Sequence, residues 1–297
     1  MGFHLISNSI KSRRVRLVYW QGNPNFGDLL SPYIVTHLCD CRIIYKRACL
    51  SYYDFVKCII RYPTQLRYYV PPFQKNLVAV GSILNLANSK SIIWGAGFMN
   101  EGDSFVVGMA PSAVRGRYTE NKILSAGGSS CGIYGDPALL LPLIYNPKIE
   151  KKNRIGIIPH WRETDRFKRD FPEYYVIDLQ NSNVEETINK ILSCDRILST
   201  SLHGLIAAHA YGIPALWIKD GYINTDGFKF KDYFSSVDIE IYDGFADIDA
   251  IMESESQINA LFIRESSKSL PNCSLNEIQN QLLAAAPFPL REHYACR

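Results

Sequence analysis

No run of about 18 apolar residues interrupts this 297-residue chain, so nothing in it is expected to span a bilayer. A Cys-x-x-Cys pair is missing as well. The eight cysteines, Cys39, Cys41, Cys49, Cys58, Cys131, Cys194, Cys273 and Cys296, meet no histidine spacing that would complete a zinc site. The opening "MGFHLISNSIKSRRVR" puts its basic cluster after a short apolar patch, the wrong order for a secretory signal. Met-Gly begins the chain, but position 6 is Ile6 rather than Ser or Thr, so the myristoylation pattern fails. Reduced, buried thiols in the cytoplasm are therefore expected. Charge of one sign is lacking too: a net +3 says little about partners, and local charge has to be examined instead. No internal repeat or low-complexity segment is present.

What is present is the composition of a soluble globular protein, 47% hydrophobic and 21% charged, with a length that suits two domains of about 100–150 residues. Short apolar runs alternate with helical patterns. "VRLVYW" (Val15–Trp20), "LVAVG" (Leu77–Gly81) and "SIIWGAG" (Ser91–Gly97) read as buried strands. A polar, basic linker at Lys148–Asn153 follows Pro147, and the rhythm restarts with "RIGIIPHW", "YYVID", "RILS" and "PALWI". The pattern predicts an α/β fold with two Rossmann-like domains, residues 1–147 and 148–297, facing each other across a cleft, with helices closing the chain. Asn183 with Glu186, Ser254 with Gln257 and Ser274 with Glu277 have capping-box spacing.

Open parallel sheets bind ligands beyond the carboxyl ends of their strands, so candidate residues are sought there. After the first strand stand Asn25, Phe26, Gly27 and Asp28. Asp28 reads equally as a helix cap or as a carboxylate that holds or deprotonates a substrate hydroxyl. Gly95-Ala96-Gly97 lacks the full Gly-x-Gly-x-x-Gly fingerprint, because position 100 is Asn100, though its amides suit an anion. Arg115 and Arg117 are solvated or fork onto a phosphate or carboxylate. His160-Trp161-Arg162, directly past a buried strand, favours a site role.

In "STSLHGLIAAHAYGIPALWI" a helix starts near Ser201 or Leu202, and its N-terminus suits an anion. Thr200 and Ser201 cap it or touch the anion, Gly204 permits close approach, and His203 should have a lowered pKa at this end. His209 reads as packing. "FKFKDYF" adds Lys229 and Asp232 at the cleft border. Lys46–Lys75 is dense in tyrosine and basic side chains with one acid, Asp54. That composition fits a membrane interface, and it fits equally a cover over the first sheet's edge, the simpler of the two. No nucleic-acid module signature accompanies it, so nucleic acid is not expected as a partner.

Taken together, "NFGDLLSPYIV", "GSIL", "VRGRYT", "GDPALLLP", "IGIIPHW", "SLHGLIAAHAYGIPALWI" and "GFKFKDYFSSV", in this order, resemble the polysaccharide pyruvyl transferase family. The resemblance implies a GT-B-like, bacterial-type enzyme. It would move the pyruvyl unit of phosphoenolpyruvate onto two hydroxyls of a sugar, forming a ketal. The acceptor would be a capsule or exopolysaccharide, or its lipid-linked oligosaccharide precursor. It implies no metal or redox cofactor, and a site in the cytoplasm or at the inner face of the membrane. Many members carry an arginine immediately before Leu-His-Gly, where this chain has Ser201; Arg115, Arg162 or Lys229 would compensate. His203, His160 and Asp28 are the expected catalytic residues. Arg115, Arg162, Thr200, Ser201, Leu202, Gly204 and Lys229 are expected at the donor, and Asn25, Phe26, Gly27 and Asp232 at the acceptor. Two other functions fit the same fold. One is a glycosyltransferase using a nucleotide sugar, disfavoured because no acidic ribose reader stands near the helix start. The other is a non-catalytic sugar binder, suggested by Ser201.

Overall fold

The computed structural model describes residues 14–22, 25–221 and 225–295. The expectations placed on the Met-Gly start and on Cys296 lie outside the described residues, as do Lys11 and Arg13 of the basic N-terminal cluster, whose Arg14 and Arg16 lie within them.

Five parallel strands form the first sheet: β1 (Arg14–Val18), β2 (Arg42–Lys46), β3 (Asn76–Val78), β4 (Ser91–Trp94) and β5 (Ala110–Ala113), in the order β2-β1-β3-β4-β5. β3 and β4 are buried at every position, which is why they read as continuous apolar runs rather than alternating ones. The second sheet holds β6 (Asn153–Ile158), β7 (Tyr175–Val176), β8 (Cys194–Ser199) and β9 (Ala215–Trp217), also parallel, in the order β9-β8-β6-β7. The fold is thus mixed α/β with two parallel, Rossmann-like sheets. In each sheet the chain leaves its first strand to one side and later returns to the other. The switch points therefore lie between β1 and β3, and between β6 and β8.

Helix α1 (Phe26–Leu38) follows β1; α2 (Tyr52–Arg61) follows β2; α3 (Arg117–Ser125) follows β5. In the second half, α4 (Val184–Leu192), α5 (Leu202–Ala210) and α6 (Phe228–Ser236) follow β7, β8 and β9. α7 (Glu255–Arg264) and α8 (Leu275–Ala284) come last among the longer helices. Three side-chain caps stand where the spacing predicts them: Asn183 accepts from the Glu186 N–H, Ser254 from Gln257 and Ser274 from Glu277. Each such cap stabilises its helix by about 1 kcal/mol.

One apolar core runs through both halves. Leu30 and Ile34 of α1, Trp94 of β4, Leu205 of α5 and Leu282 of α8 belong to the same buried cluster. The tail, grouped on sequence with the second half, packs back on the first. The Trp94 indole donates to the Leu282 carbonyl (2.9 Å), and Gln279 Nε2 donates to the Leu139 carbonyl (2.8 Å). α6 likewise reaches across to α3. A β-carbon on Gly116 would lie 1.8 Å from the Asp232 carbonyl oxygen, so only glycine lets the two backbones come this close.

Candidate active site

Both switch points open on one cavity of about 390 Å³. Trp20, Asn25 and Asp28 line it from the loop after β1 and the start of α1, Ser82 and Ile83 from beyond β3. His160, Trp161 and Arg162 enter from the loop after β6, and Lys229 from α6. A larger depression of about 670 Å³ lies around Asn153–Ile155, Tyr174 and Glu255, at the amino end of β6. It is the wrong edge of the sheet for a switch-point site, so the smaller cavity is the candidate.

On the first-half wall, Asn25 caps α1. Its Oδ1 accepts from the Gly27 N–H (3.3 Å) and its Nδ2 donates to Asp28 Oδ2 (3.2 Å). Asp28 is therefore not the cap; it sits in the first turn, with its carboxylate at the cavity wall. Burial pushes its pKa up to about 6, against the opposing Asn25 hydrogen bond and the charge of Lys229. Phe26, expected at the acceptor, is wholly buried in the core, because an aromatic at the first helical position faces inward here.

On the second-half wall, His160 has its backbone N–H bonded to Thr200 Oγ1 (2.7 Å) and its Nδ1 accepting from the Arg162 N–H (3.4 Å). Burial, then the charges of Lys229 and Arg162, depress its pKa to about 4, so the ring is neutral near pH 7. Arg162 is exposed, with its guanidinium over the Trp161 ring at 4.9 Å. Lys229 is 5% exposed. Burial and Arg115 lower its pKa to about 8, while Glu163 and Asp28 hold it up. It makes no ion pair within 4.0 Å among the described residues, so its ammonium is available to a ligand.

The start of α5 is built differently from the expectation. Thr200 donates to Glu163 Oε2 and accepts from His160, so its hydroxyl is occupied. Ser201 is the N-cap residue but its side chain caps nothing; its N–H donates to Ser199 Oγ (3.0 Å). Leu202 is buried. Gly204 is needed by the protein's own packing, since a β-carbon there would lie 2.6 Å from Ser199 Oγ and 2.7 Å from Ile158 Cγ2. Among the described residues His203 does not line this cavity, although its side chain is 14% exposed. Its Nδ1 lies against Gly27, and its Nε2 is buried 3.8 Å from Asp136 Oδ2, neither atom having a hydrogen-bond partner. Burial, then Arg115 and Lys229, depress its pKa to about 3.

Arg115 and Asp232 are removed from ligand contact altogether. Both side chains are wholly buried, with Arg115 Nε donating to Asp232 Oδ2 at 2.9 Å. The guanidinium also donates to Ser82 Oγ (2.5 Å) and the Phe98 carbonyl (2.6 Å). Asp232 accepts from the Thr119 N–H (2.8 Å) and hydroxyl (2.7 Å). Gly97 leaves room for this pair, since a β-carbon there would lie 2.5 Å from Arg115 Cζ. The Gly95 and Gly97 amides are spent on the Ala113 and Gly81 carbonyls, so these two are not open to an anion. Arg117, outside the cavity, donates to the Ser235 carbonyl.

Two further carboxylates, Glu163 and Asp136, are buried near the start of α5. Glu163 lies buried beneath Thr200 with Oε1 unpartnered, and burial raises its pKa. Asp136 caps the short helix Pro137–Leu140, and burial raises its pKa to about 7, opposed by the Ala138 N–H and Arg115. Asp136 lies in "GDPALLLP" and Glu163 directly follows His160-Trp161-Arg162, yet neither carboxylate stands out by itself in the sequence.

Residues 25–221 match a family model described as polysaccharide pyruvyl transferase. The chain is also 30% identical over 243 residues to "Uncharacterized protein L143" of Acanthamoeba polyphaga mimivirus, covering 77% of this chain and 76% of that protein. No solved structure matches the chain.

Proposed function

Since the chain belongs to the polysaccharide pyruvyl transferase family, we propose that it transfers the pyruvyl group of phosphoenolpyruvate to two hydroxyls of one sugar, forming a cyclic ketal. The observation that carries the donor assignment is the unpaired Lys229 ammonium in a cavity that also presents Arg162 and His160. Phosphoenolpyruvate carries a phosphate and a carboxylate, and these cations suit it. Lys229 and Arg162 take over the duty expected of an arginine at position 201.

Asp28, across the cavity and ionised at pH 7, accepts the proton of the attacking sugar hydroxyl. His160 is neutral in the empty site. The donor's negative charge raises its pKa, so it binds a proton and delivers it to the methylene carbon. C2 becomes oxocarbenium-like, and the sugar oxygen bonds to it. Phosphate leaves with the electron pair of its bond to C2, and the second hydroxyl closes the ring, giving its proton to His160, which is neutral again after the first transfer. His203, behind Gly27, positions the start of α1, and with it Asn25 and Asp28. The acceptor is the sugar of a surface polysaccharide or of its lipid-linked precursor, and the two sheets work as two domains about this cavity.

The test is incubation with phosphoenolpyruvate and a panel of oligosaccharides. Equal release of inorganic phosphate and appearance of a ketal methyl signal by proton NMR is the expected result. Phosphate release with only the methyl signal of free pyruvate would mean hydrolysis and would remove the ketal assignment.

A further inference from the structure

We propose that α2 and the segment after it dock the protein on an anionic lipid surface. At about 100° per residue, Tyr52, Tyr53, Val56, Ile59 and Ile60 share one face of α2. That face has no cover among the described residues: Ile60 is 74% exposed, Tyr53 76% and Tyr52 68%. Cys58 alone is buried, and it anchors the helix to the body. Phe55 is half-buried, and its ring meets the exposed Phe73 edge-on at 5.5 Å, extending the apolar strip. A helix covering the sheet edge, the simpler expectation, would bury this face instead of presenting it.

Charge selects the occupant. Lys57 borders the apolar face on one side with Arg61 one turn on beyond it, and Arg47 and Arg67, before and after α2 in the chain, stack on Tyr68 at 4.6 and 4.7 Å. The one acid of residues 46–75, Asp54, is held at the helix start by the Ser51 hydroxyl (2.7 Å). Apolar side chains bordered by tyrosines and cations match the boundary between acyl chains and anionic headgroups. Among the described residues no helix is long and apolar enough to cross a membrane, so α2 would lie in the interface. Its position is also apt. α2 follows the carboxyl end of β2, the sheet edge on which the cavity opens and where Trp20 stands half exposed. The docking stands on these observations alone and does not depend on which group the cavity transfers.

The test is flotation of the full chain with vesicles of phosphatidylcholine, and of phosphatidylcholine mixed with phosphatidylglycerol. Binding to the mixed vesicles is expected, with little to phosphatidylcholine alone and weakening as salt rises. Val56→Glu with Ile60→Glu should lower the bound fraction by about tenfold or more. Lys57→Glu with Arg61→Glu should remove the preference for the anionic lipid. All four positions are exposed, so the melting temperature should not move, and circular dichroism checks this. Absence of binding to either vesicle at low salt overturns the proposal. So does self-association of the wild-type chain that the Val56/Ile60 pair abolishes, which would make the face a contact between two copies.

Discussion

His203 of the second half rests directly on Gly27 of the first, so closely that a β-carbon at position 27 would stand 2.4 Å from His203 Nδ1. Gly27 lies in the first turn of α1 and His203 in the first turn of α5, so the contact joins the starts of the two helices. Gly27→Ala should therefore displace the imidazole or the helix start. Overpacking of this kind costs about 1–3 kcal/mol. The misplaced Asp28 should lower kcat/KM by about 100-fold. Steady-state kinetics beside a thermal melt check both numbers. Unchanged turnover would mean that the contact positions nothing.

Arg115→Ala should destabilise the chain by about 3–5 kcal/mol, since it leaves Asp232 charged and buried without its partner. Urea denaturation checks this. A loss below about 1 kcal/mol would contradict the structural role of the buried pair.

These outcomes bear on what the sequence could reveal. β3 and β4 were legible because burial on both faces makes an unbroken apolar run, and the caps at Asn183, Ser254 and Ser274 because capping is local. That His160 and Lys229 line the cavity was legible, His160 from its place just past β6 and Lys229 from the aromatic and basic segment that follows β9. The Arg115–Asp232 pair was not, because its partners are 117 positions apart and either residue, taken alone, looks like a ligand group. Gly204 misled in a similar way: a glycine reads as room for a ligand, and here the room is filled by Ile158 and Ser199. Glu163 and Asp136 take their meaning from burial, which no local pattern announces.

Asp28→Asn should reduce kcat by about 10²–10⁴-fold, the range lost with a general base. In the wild-type chain kcat/KM should fall as pH drops through about 6, where Asp28 takes up its proton. The asparagine variant's residual rate should lack that limb. A limb near pH 6 that survives in Asp28→Asn belongs to another group.

Stability should depend on pH through His209. Its ring is wholly buried, with Nδ1 3.0 Å from the Tyr233 hydroxyl and Nε2 3.2 Å from the Ala215 carbonyl. Burial depresses its pKa from 6.5 to about 4, so the contribution is fully present above pH 6.5 and is lost as pH falls through about 4. Asp28 and Asp136, with raised pKa values, act in the opposite sense, so the contribution is read as a difference from a variant. Relative to His209→Gln, the wild-type chain should lose on the order of 3 kcal/mol between pH 7 and pH 4. Parallel urea midpoints for the two chains across that range would contradict the assignment.

The donor assignment rests most heavily on Lys229, and calorimetric titration with phosphoenolpyruvate addresses it directly. Saturable binding is expected at pH 7, weakening above about pH 8 as the ammonium loses its proton. In Lys229→Met, of similar shape but uncharged, affinity should fall by about tenfold or more, the loss of one charge-assisted contact. Binding of a nucleotide sugar with no heat from phosphoenolpyruvate, or equal phosphoenolpyruvate affinity in the two chains, would contradict the account.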